Sequence, residues 1–267
     1  MDDAKRKGAR TPKDVPPAVL ERLNRGEIEA VNLMESLAMD QRALLGNLLR
    51  QTGRTDYLRP VLASVDGLKK QGFNIVAETI GTALFAQAAQ QDDREFLAVI
   101  SGHRSDLVRC WAAYGIGKNP GPEIEEALER IRPFVADGHY GVREIAWMAV
   151  RPKLARHLER GIAFLSGWAA DEDANIRRFA SEATRPRGVW CAHIDALKDD
   201  PAPGLPILEP LKSDASKYVR DSVGNWLNDA GKTRPDFVKT LCERWETESG
   251  TKETKYIIRK AMRTMKI

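Results

Sequence analysis

The stretch "FASEATRPRGVW" at 179–190 sets one carboxylate (Glu182), two guanidinium groups (Arg185, Arg187) and an indole (Trp190) around the helix-stopping Pro186. A helix that only fills a core needs none of these on its polar side. The segment is either a solvated helix end or one wall of a site. Two other places use the same residue types: "REIAWMAVRP" puts Glu144 three residues before Trp147, and "GNWLNDAGK" puts Asp229 just ahead of Gly231 and Lys232. The bland reading is ion pairing along a helix, Arg178 with Glu182 at i,i+4 and Glu182 with Arg185 at i,i+3, worth about 0.3–0.5 kcal/mol per pair. "CAH" at 191–193 offers two metal ligands, Cys191 and His193, but no CxxC pair accompanies them, so no metal is expected. The segment 252–267 carries six basic residues and one acid. Lys252, Lys255, Arg259, Arg263 and Lys266 recur every three or four positions and share one helical stripe. That stripe is a solvated basic face or an edge that tracks phosphates.

The elements that must position these groups show themselves as a repeat. Val/Ile-Arg recurs in "SDLVRCWAAYG", "HYGVREIAWMA", "DANIRRFASEA", "SKYVRDSVGNWL" and "TKYIIRKAMRTM", with Arg109, Arg143, Arg177, Arg220 and Arg259 spaced by 34, 34, 43 and 39 residues. That interval suits two helices and two turns per unit, near the size of HEAT-type helical pairs. The arginines themselves read as structural, bonding to neighbouring repeats or loops. Turn signals separate the units ("KNPGPE", "ADGHYG", "DEDAN", "DDPAPG"), and sustained alternation of β-branched residues is absent. The expected fold is an all-α, HEAT-like helical-repeat solenoid.

At 100° per residue, Val142, Ile145, Ala146 and Ala149 make one core face; Glu144, Trp147, Met148 and Arg151 fall opposite. In the next unit Ile176, Phe179, Ala180 and Ala183 face the core, with Arg178, Glu182 and Arg185 opposite. In the third, Val219, Val223, Trp226 and Ala230 face inward while Asp221, Asn225 and Asn228 face away, with Asp229 near the boundary. Trp111, Trp168 and Trp226 read as core. Stacked repeats place equivalent faces side by side, so the polar sets are expected to line one concave groove, with Trp147 and Trp190 exposed beside the acids.

Composition narrows the classes. The 267 residues are 42% apolar and 30% charged with net charge +4, and mean hydropathy is −0.43. No run approaches the ~18 apolar residues a membrane span needs. "MDDAKRKGARTPKD" lacks the apolar stretch of a secretory signal. Three scattered cysteines fit a reducing, cytoplasmic setting. The expected organisation is a flexible basic tail at 1–13 and one domain at 14–267, with cap helices and first repeats at 14–105 and site-bearing repeats at 106–267.

The chain resembles the helical-repeat DNA alkylation repair glycosylases of the AlkC and AlkD type, and most the AlkC branch. "ERLNRGEIEAVNLMESLAMDQRALL" resembles that branch's N-terminal motif, "IRRFASEATRPRGVW" its arginine-rich motif ending in RPRLPW, and "LPILEPLKSDASKYVRDSVGNWLNDAGKTRPD" its YVR…SVAN.LND segment. Two departures stand out: "VREIAWMAVRP" where the branch more often reads SEFAIRP, and Gly188-Val189 in place of Leu-Pro. The resemblance implies a solenoid whose concave groove binds duplex DNA, and excision of cationic alkylated bases of the 3-methyladenine or 7-methylguanine type. It implies catalytic acids at Glu144, Glu182 and Asp229, a lesion contact at Trp190 and backbone contacts from Arg185 and Arg187; beside these, Trp147 is expected as a second lesion contact and Arg178, Lys232, Arg259 and Arg263 as further backbone contacts. No cofactor is expected, and the chain is expected to act as a monomer with duplex DNA as partner and no membrane. The competing expectation is a non-catalytic HEAT scaffold that binds nucleic acid or a protein.

Overall fold

A recurring arginine explains the local architecture. In the computed structural model, which describes residues 6–265, Arg109 donates from Nη1 to the carbonyls of His103 and Arg104 at 2.7 and 3.1 Å. Arg143 does so to Asp137 and Gly138 at 2.6 and 2.9 Å. Arg177 bonds Asp171 and Glu172 at 2.8 and 2.9 Å, and Arg220 bonds Asp214 and Ala215 at 2.8 and 2.6 Å. Each arginine thus grips the carbonyls five and six residues before it, in the turn that feeds its helix. Arg109 and Arg177 also reach the next turn: Arg109 clasps Asp137 with Nε and Nη2 at 2.7 and 3.0 Å, and Arg177 clasps Asp214 at 2.7 and 3.1 Å. The aspartates are themselves anchored, because Asp137, Asp171 and Asp214 each accept the backbone N–H two residues on. His103 takes that place in the first turn, its Nδ1 accepting from Ser105 N at 3.0 Å.

The chain is all-helical, with no strand among the described residues. It gathers into two compact units, the first running to Gly121 and including Asp137–Ala149, the second comprising Pro122–Ala136 and Val150 onward. The first holds α1 (Pro17–Asn24), α2 (Leu33–Ala38), α3 (Gln41–Gln51), α4 (Leu58–Asp66), α5 (Phe73–Gln90), α6 (Arg94–Ser101) and α7 (Asp106–Gly117). The second holds α8 (Ile124–Val135), while α9 (Tyr140–Arg156) contributes to both. There follow α10 (Leu158–Trp168), α11 (Ala174–Ala183), the short α12 (Asp195–Asp199) and α13 (Leu205–Leu208), then α14 (Lys217–Gly231), α15 (Pro235–Glu248) and α16 (Lys252–Met262).

In the first unit α5 packs on α7 at close range. A Cβ on Gly81 would lie 2.3 Å from the Trp111 carbonyl oxygen, so only glycine permits that approach. In the second unit α11 packs on α14 and α14 on α16. The expected core faces are buried there: Ile176, Phe179, Ala180 and Ala183 on α11, and Val219, Val223, Trp226 and Ala230 on α14. Trp111, Trp168 and Trp226 are buried as well.

Two expectations change. The basic tail is held in place over its described part: Arg6 pairs with buried Glu35 at 2.6 Å, and Asn32 donates to the Ala9 carbonyl at 2.8 Å. Residues 1–5 and Lys266 lie outside the described residues. Arg259 is not a fifth equivalent of the repeat arginines. They occupy the fourth position of their helices, whereas in α16 that position is Lys255. The cap of α16 is the Thr251 hydroxyl, which accepts from Thr254 N, so its entry needs no guanidinium.

Candidate active site

Asp173 starts α11 by accepting the Asn175 N–H at 2.7 Å. With the apolar set turned inward, Arg178 and Glu182 occupy the other side of the helix, and Arg185 follows its last turn. The sequence predicts an exposed polar wall; the structure buries it. Arg178, Glu182 and Arg185 are only 8, 5 and 8% exposed, and Asp229 on α14 is 3% exposed. The reason is that α14 supplies partners. Arg185 donates from Nη1 to Glu182 Oε1 at 2.7 Å and from Nε to Asp229 Oδ2 at 2.9 Å, with Nη2 2.7 Å from the same oxygen. One guanidinium therefore joins two carboxylates 47 positions apart in the chain.

The remaining oxygens differ in their company. Glu182 Oε2 accepts the Ser222 hydroxyl at 2.7 Å and lies 3.5 Å from Arg178 Nη2. Asp229 Oδ1 faces the Lys232 ammonium at 3.2 Å, on a side chain that is 46% exposed. Burial pushes the Glu182 carboxyl up, but Arg178, Arg185 and the Ser222 hydroxyl together outweigh it and hold the group below its ordinary range. Burial likewise opposes the charge of Arg185, and Glu182 and Asp229 more than restore it. The cluster holds Glu182 as a buried anion, and Lys232 is the part-exposed cation at its margin.

Sequence reasoning places Glu144, Glu182 and Asp229 in one groove with Trp147, Trp190 and several arginines; of these the structure brings Glu182, Asp229, Arg178 and Arg185 into contact, with Lys232 beside Asp229. It misses Ser222, one residue beyond the singled-out Asp221, whose only signal is a small polar residue on the side of α14 turned toward α11. Arg178 and Arg185, expected at DNA phosphates, are instead engaged inside the protein: Arg185 bridges the acids, and the Arg178 guanidinium lies 4.7 Å over the Tyr218 ring.

Trp190 sits in the loop after α11 and is 77% exposed, with Val189 beside it at 48%. Its φ of +57° lies in the left-handed region, uncommon for a bulky residue. Arg187 is half-buried, and its Nε is buried without a hydrogen-bond partner. On α16 the basic side chains Lys252, Lys255, Arg259 and Arg263 are exposed. Arg259 stacks 5.3 Å over Tyr256, and Arg263 donates to Asn225 Oδ1 at 3.1 Å. With Lys260 these residues rim a cavity of about 400 Å³. Nearby Asp221, despite partial burial, is held down to about 2 by Lys217, Lys260 and the Tyr256 hydroxyl.

Glu144 and Trp147 belong to the first unit. Trp147, expected to expose its face, is buried at 2% and donates its indole N–H to Glu144 Oε2 at 2.8 Å. It orients that carboxylate from one helical turn away. Among the described residues no group of three or more His, Cys, Asp or Glu could hold a metal ion, and no helix is long and apolar enough to cross a membrane.

Residues 137–265 match the family described as "DNA alkylation repair enzyme". Over 142 residues, 53% of its length, the chain is 42% identical to YhaZ of Bacillus subtilis (strain 168), an uncharacterized protein; the match covers 37% of YhaZ. The fold is shared with the Pseudomonas fluorescens alkylpurine DNA glycosylase AlkC, solved bound to DNA containing an abasic site analog. The TM-score is 0.69 at 23% identity, over 97% of this chain and 65% of that one. Streptococcus mutans AlkD2 is similar with a TM-score of 0.60 at 22% identity, over 79% of this chain and 100% of that one.

Proposed function

We propose that this chain is a DNA glycosylase of base excision repair that hydrolyses the N-glycosidic bond of cationic alkylated bases in duplex DNA, acting as a monomer in the cytosol. The observation that carries the reading is the pair of buried acids, Glu182 and Asp229, drawn from separate repeats onto one guanidinium. An alkylated purine already bears positive charge and leaves readily. What develops as the bond breaks is positive charge on the deoxyribose, and a fixed carboxylate in reduced dielectric stabilises it and orients water. Asp229 Oδ1 is the oxygen best suited to that role, because among the described residues it faces the part-exposed Lys232. A phosphate drawing the ammonium away would free the oxygen as DNA arrives. Trp190 would offer its indole to the lesion, and Arg187, Arg259 and Arg263 would fix the backbone. Glu144, in the other unit, is a separate candidate to be judged by its own Glu144→Gln variant.

One observation favours the non-catalytic scaffold: both acids are already neutralised by arginines, as in a purely structural ion network. Incubating the purified chain with methylated duplex and identifying released bases separates the readings. Release of 3-methyladenine or 7-methylguanine supports the glycosylase; duplex binding with no release supports the scaffold.

A further inference from the structure

The loop from Pro186 to Ile194 holds its most exposed large residue in the backbone conformation least suited to it, since Trp190 is 77% exposed at φ +57°. Such a conformation persists only where the surroundings over-determine it. One constraint is local: Ile194 N donates to the Pro186 carbonyl at 3.0 Å and closes the neck of the loop. The other comes from α9. Arg151 is 2% exposed and donates three ways, from Nη1 to Ala183 O at 2.6 Å, from Nη2 to Arg185 O at 2.5 Å, and from Nε to Ala192 O at 3.2 Å. These three acceptors are backbone carbonyls, and the Cys191 side chain also bonds the guanidinium. A buried cation without a directly bonded acid is an expensive arrangement, and burial correspondingly holds this guanidinium below its ordinary range.

The loop is shaped to that guanidinium. A Cβ on Gly188 would lie 3.1 Å from Arg151 Cζ and 3.2 Å from its Nε, and 2.3 Å from Cys191 Sγ. The backbone at 188 therefore lies in tight contact with the guanidinium, and a side chain there is blocked first by Cys191 Sγ. Glycine in "RPRGVW" lets the loop pack closely on both Cys191 and the strut from α9.

We propose that Arg151 is the positioning residue of the Trp190 loop. It ties the end of α11, from which Arg185 reaches Glu182 and Asp229, to the far limb of the loop at Ala192. The indole is thereby preset in its exposed pose. The activity arm of the test rests on the glycosylase reading; the spectroscopic arm does not.

The tryptophans make the test selective. Trp111, Trp226 and Trp245 are fully buried, Trp147 and Trp168 are 2 and 7% exposed, and Trp190 alone is open. Iodide quenching should therefore read Trp190, with Trp190→Phe as the control that removes the accessible component. Arg151→Lys keeps a charge but cannot span three carbonyls. It should raise the local mobility of Trp190 in time-resolved anisotropy and alter its quenching. Gly188→Ala, which leaves α9 intact, should do the same if Arg151→Lys fails to fold. In single-turnover base release at saturating DNA, Arg151→Lys should lose on the order of tenfold to a hundredfold in rate with little change in affinity. The loss should largely vanish in a Trp190→Phe background. Unchanged anisotropy and quenching in both loop variants would overturn the proposal, as would losses that multiply with Trp190→Phe. A wild-type chain that releases no base sinks the glycosylase reading and leaves the spectroscopic arm to decide.

Discussion

Ser222 controls more than its size suggests. Its hydroxyl donates to Glu182 Oε2 at 2.7 Å, one of the contacts that hold this carboxyl below its ordinary range against the opposing effect of burial. Because the folded value is depressed, the anion is present through the usual carboxylate range. Its contribution to stability is complete above the unfolded value of about 4.3 and is lost as pH falls through the lower folded one. The acid limb of base release in the wild type should therefore lie below that range, and Ser222→Ala should move it to higher pH in a pH–rate profile. Arg185→Met should be severe, since it removes the guanidinium shared by two buried acids and leaves Asp229 with Lys232 alone and Glu182 with Ser222 and the longer contact to Arg178; a loss of about 3–5 kcal/mol is expected in denaturant unfolding. At this scale the sequence was informative about angular position and silent about burial. A helical wheel puts Arg178 and Glu182 together on α11, and Arg185 in phase with them just past its end. It cannot see that α14 covers them with Ser222 and Asp229. Trp147 illustrates the same limit: a wheel assigns one buried face per helix, whereas stacked helices bury two.

Helix entry is where the recurring arginines act. Arg177 holds two carbonyls of its own turn and clasps Asp214 of the next, whose side chain is 5% exposed. Arg177→Ala should strand that acid together with both carbonyls and cost about 3–5 kcal/mol, read as a lowered denaturation midpoint. Arg259→Ala, with its exposed ring-stacked side chain, should shift the midpoint little. The repeat itself was legible because one residue type must recur wherever one turn geometry recurs. Arg259 misled because a dipeptide match carries no information on where the helix begins, which Thr251 decides. The longer spacing between Arg177 and Arg220 was also visible. What it encodes was not: the added residues form the Trp190 loop, α12 and α13, and the loop is held by Arg151 bonds to backbone carbonyls that no local pattern announces.

For the molecule as a whole, a modest net charge of +4 gives little guidance, but its placement does. The exposed Lys252, Lys255, Arg259 and Arg263 edge of α16 should contribute to the salt dependence of duplex binding. If Arg259 and Arg263 each meet a phosphate, replacing both with glutamine should reduce the slope of log K against log salt by roughly 1.8, at about 0.9 per contact. A scaffold for an acidic protein partner would show no such change with DNA. The division into two units was not legible, because every repeat marker looks alike wherever the contacts between repeats fall.

The most direct measurement is single-turnover release of alkylated bases from methylated duplex by the wild type, Glu182→Gln and Asp229→Asn, with duplex affinity measured alongside. Removing a preorganised charge of this kind is worth about 2.7–4 kcal/mol. Each variant should accordingly release base on the order of a hundredfold to a thousandfold more slowly while still binding DNA. Wild-type rates in both variants would contradict the assignment of these acids to the chemistry.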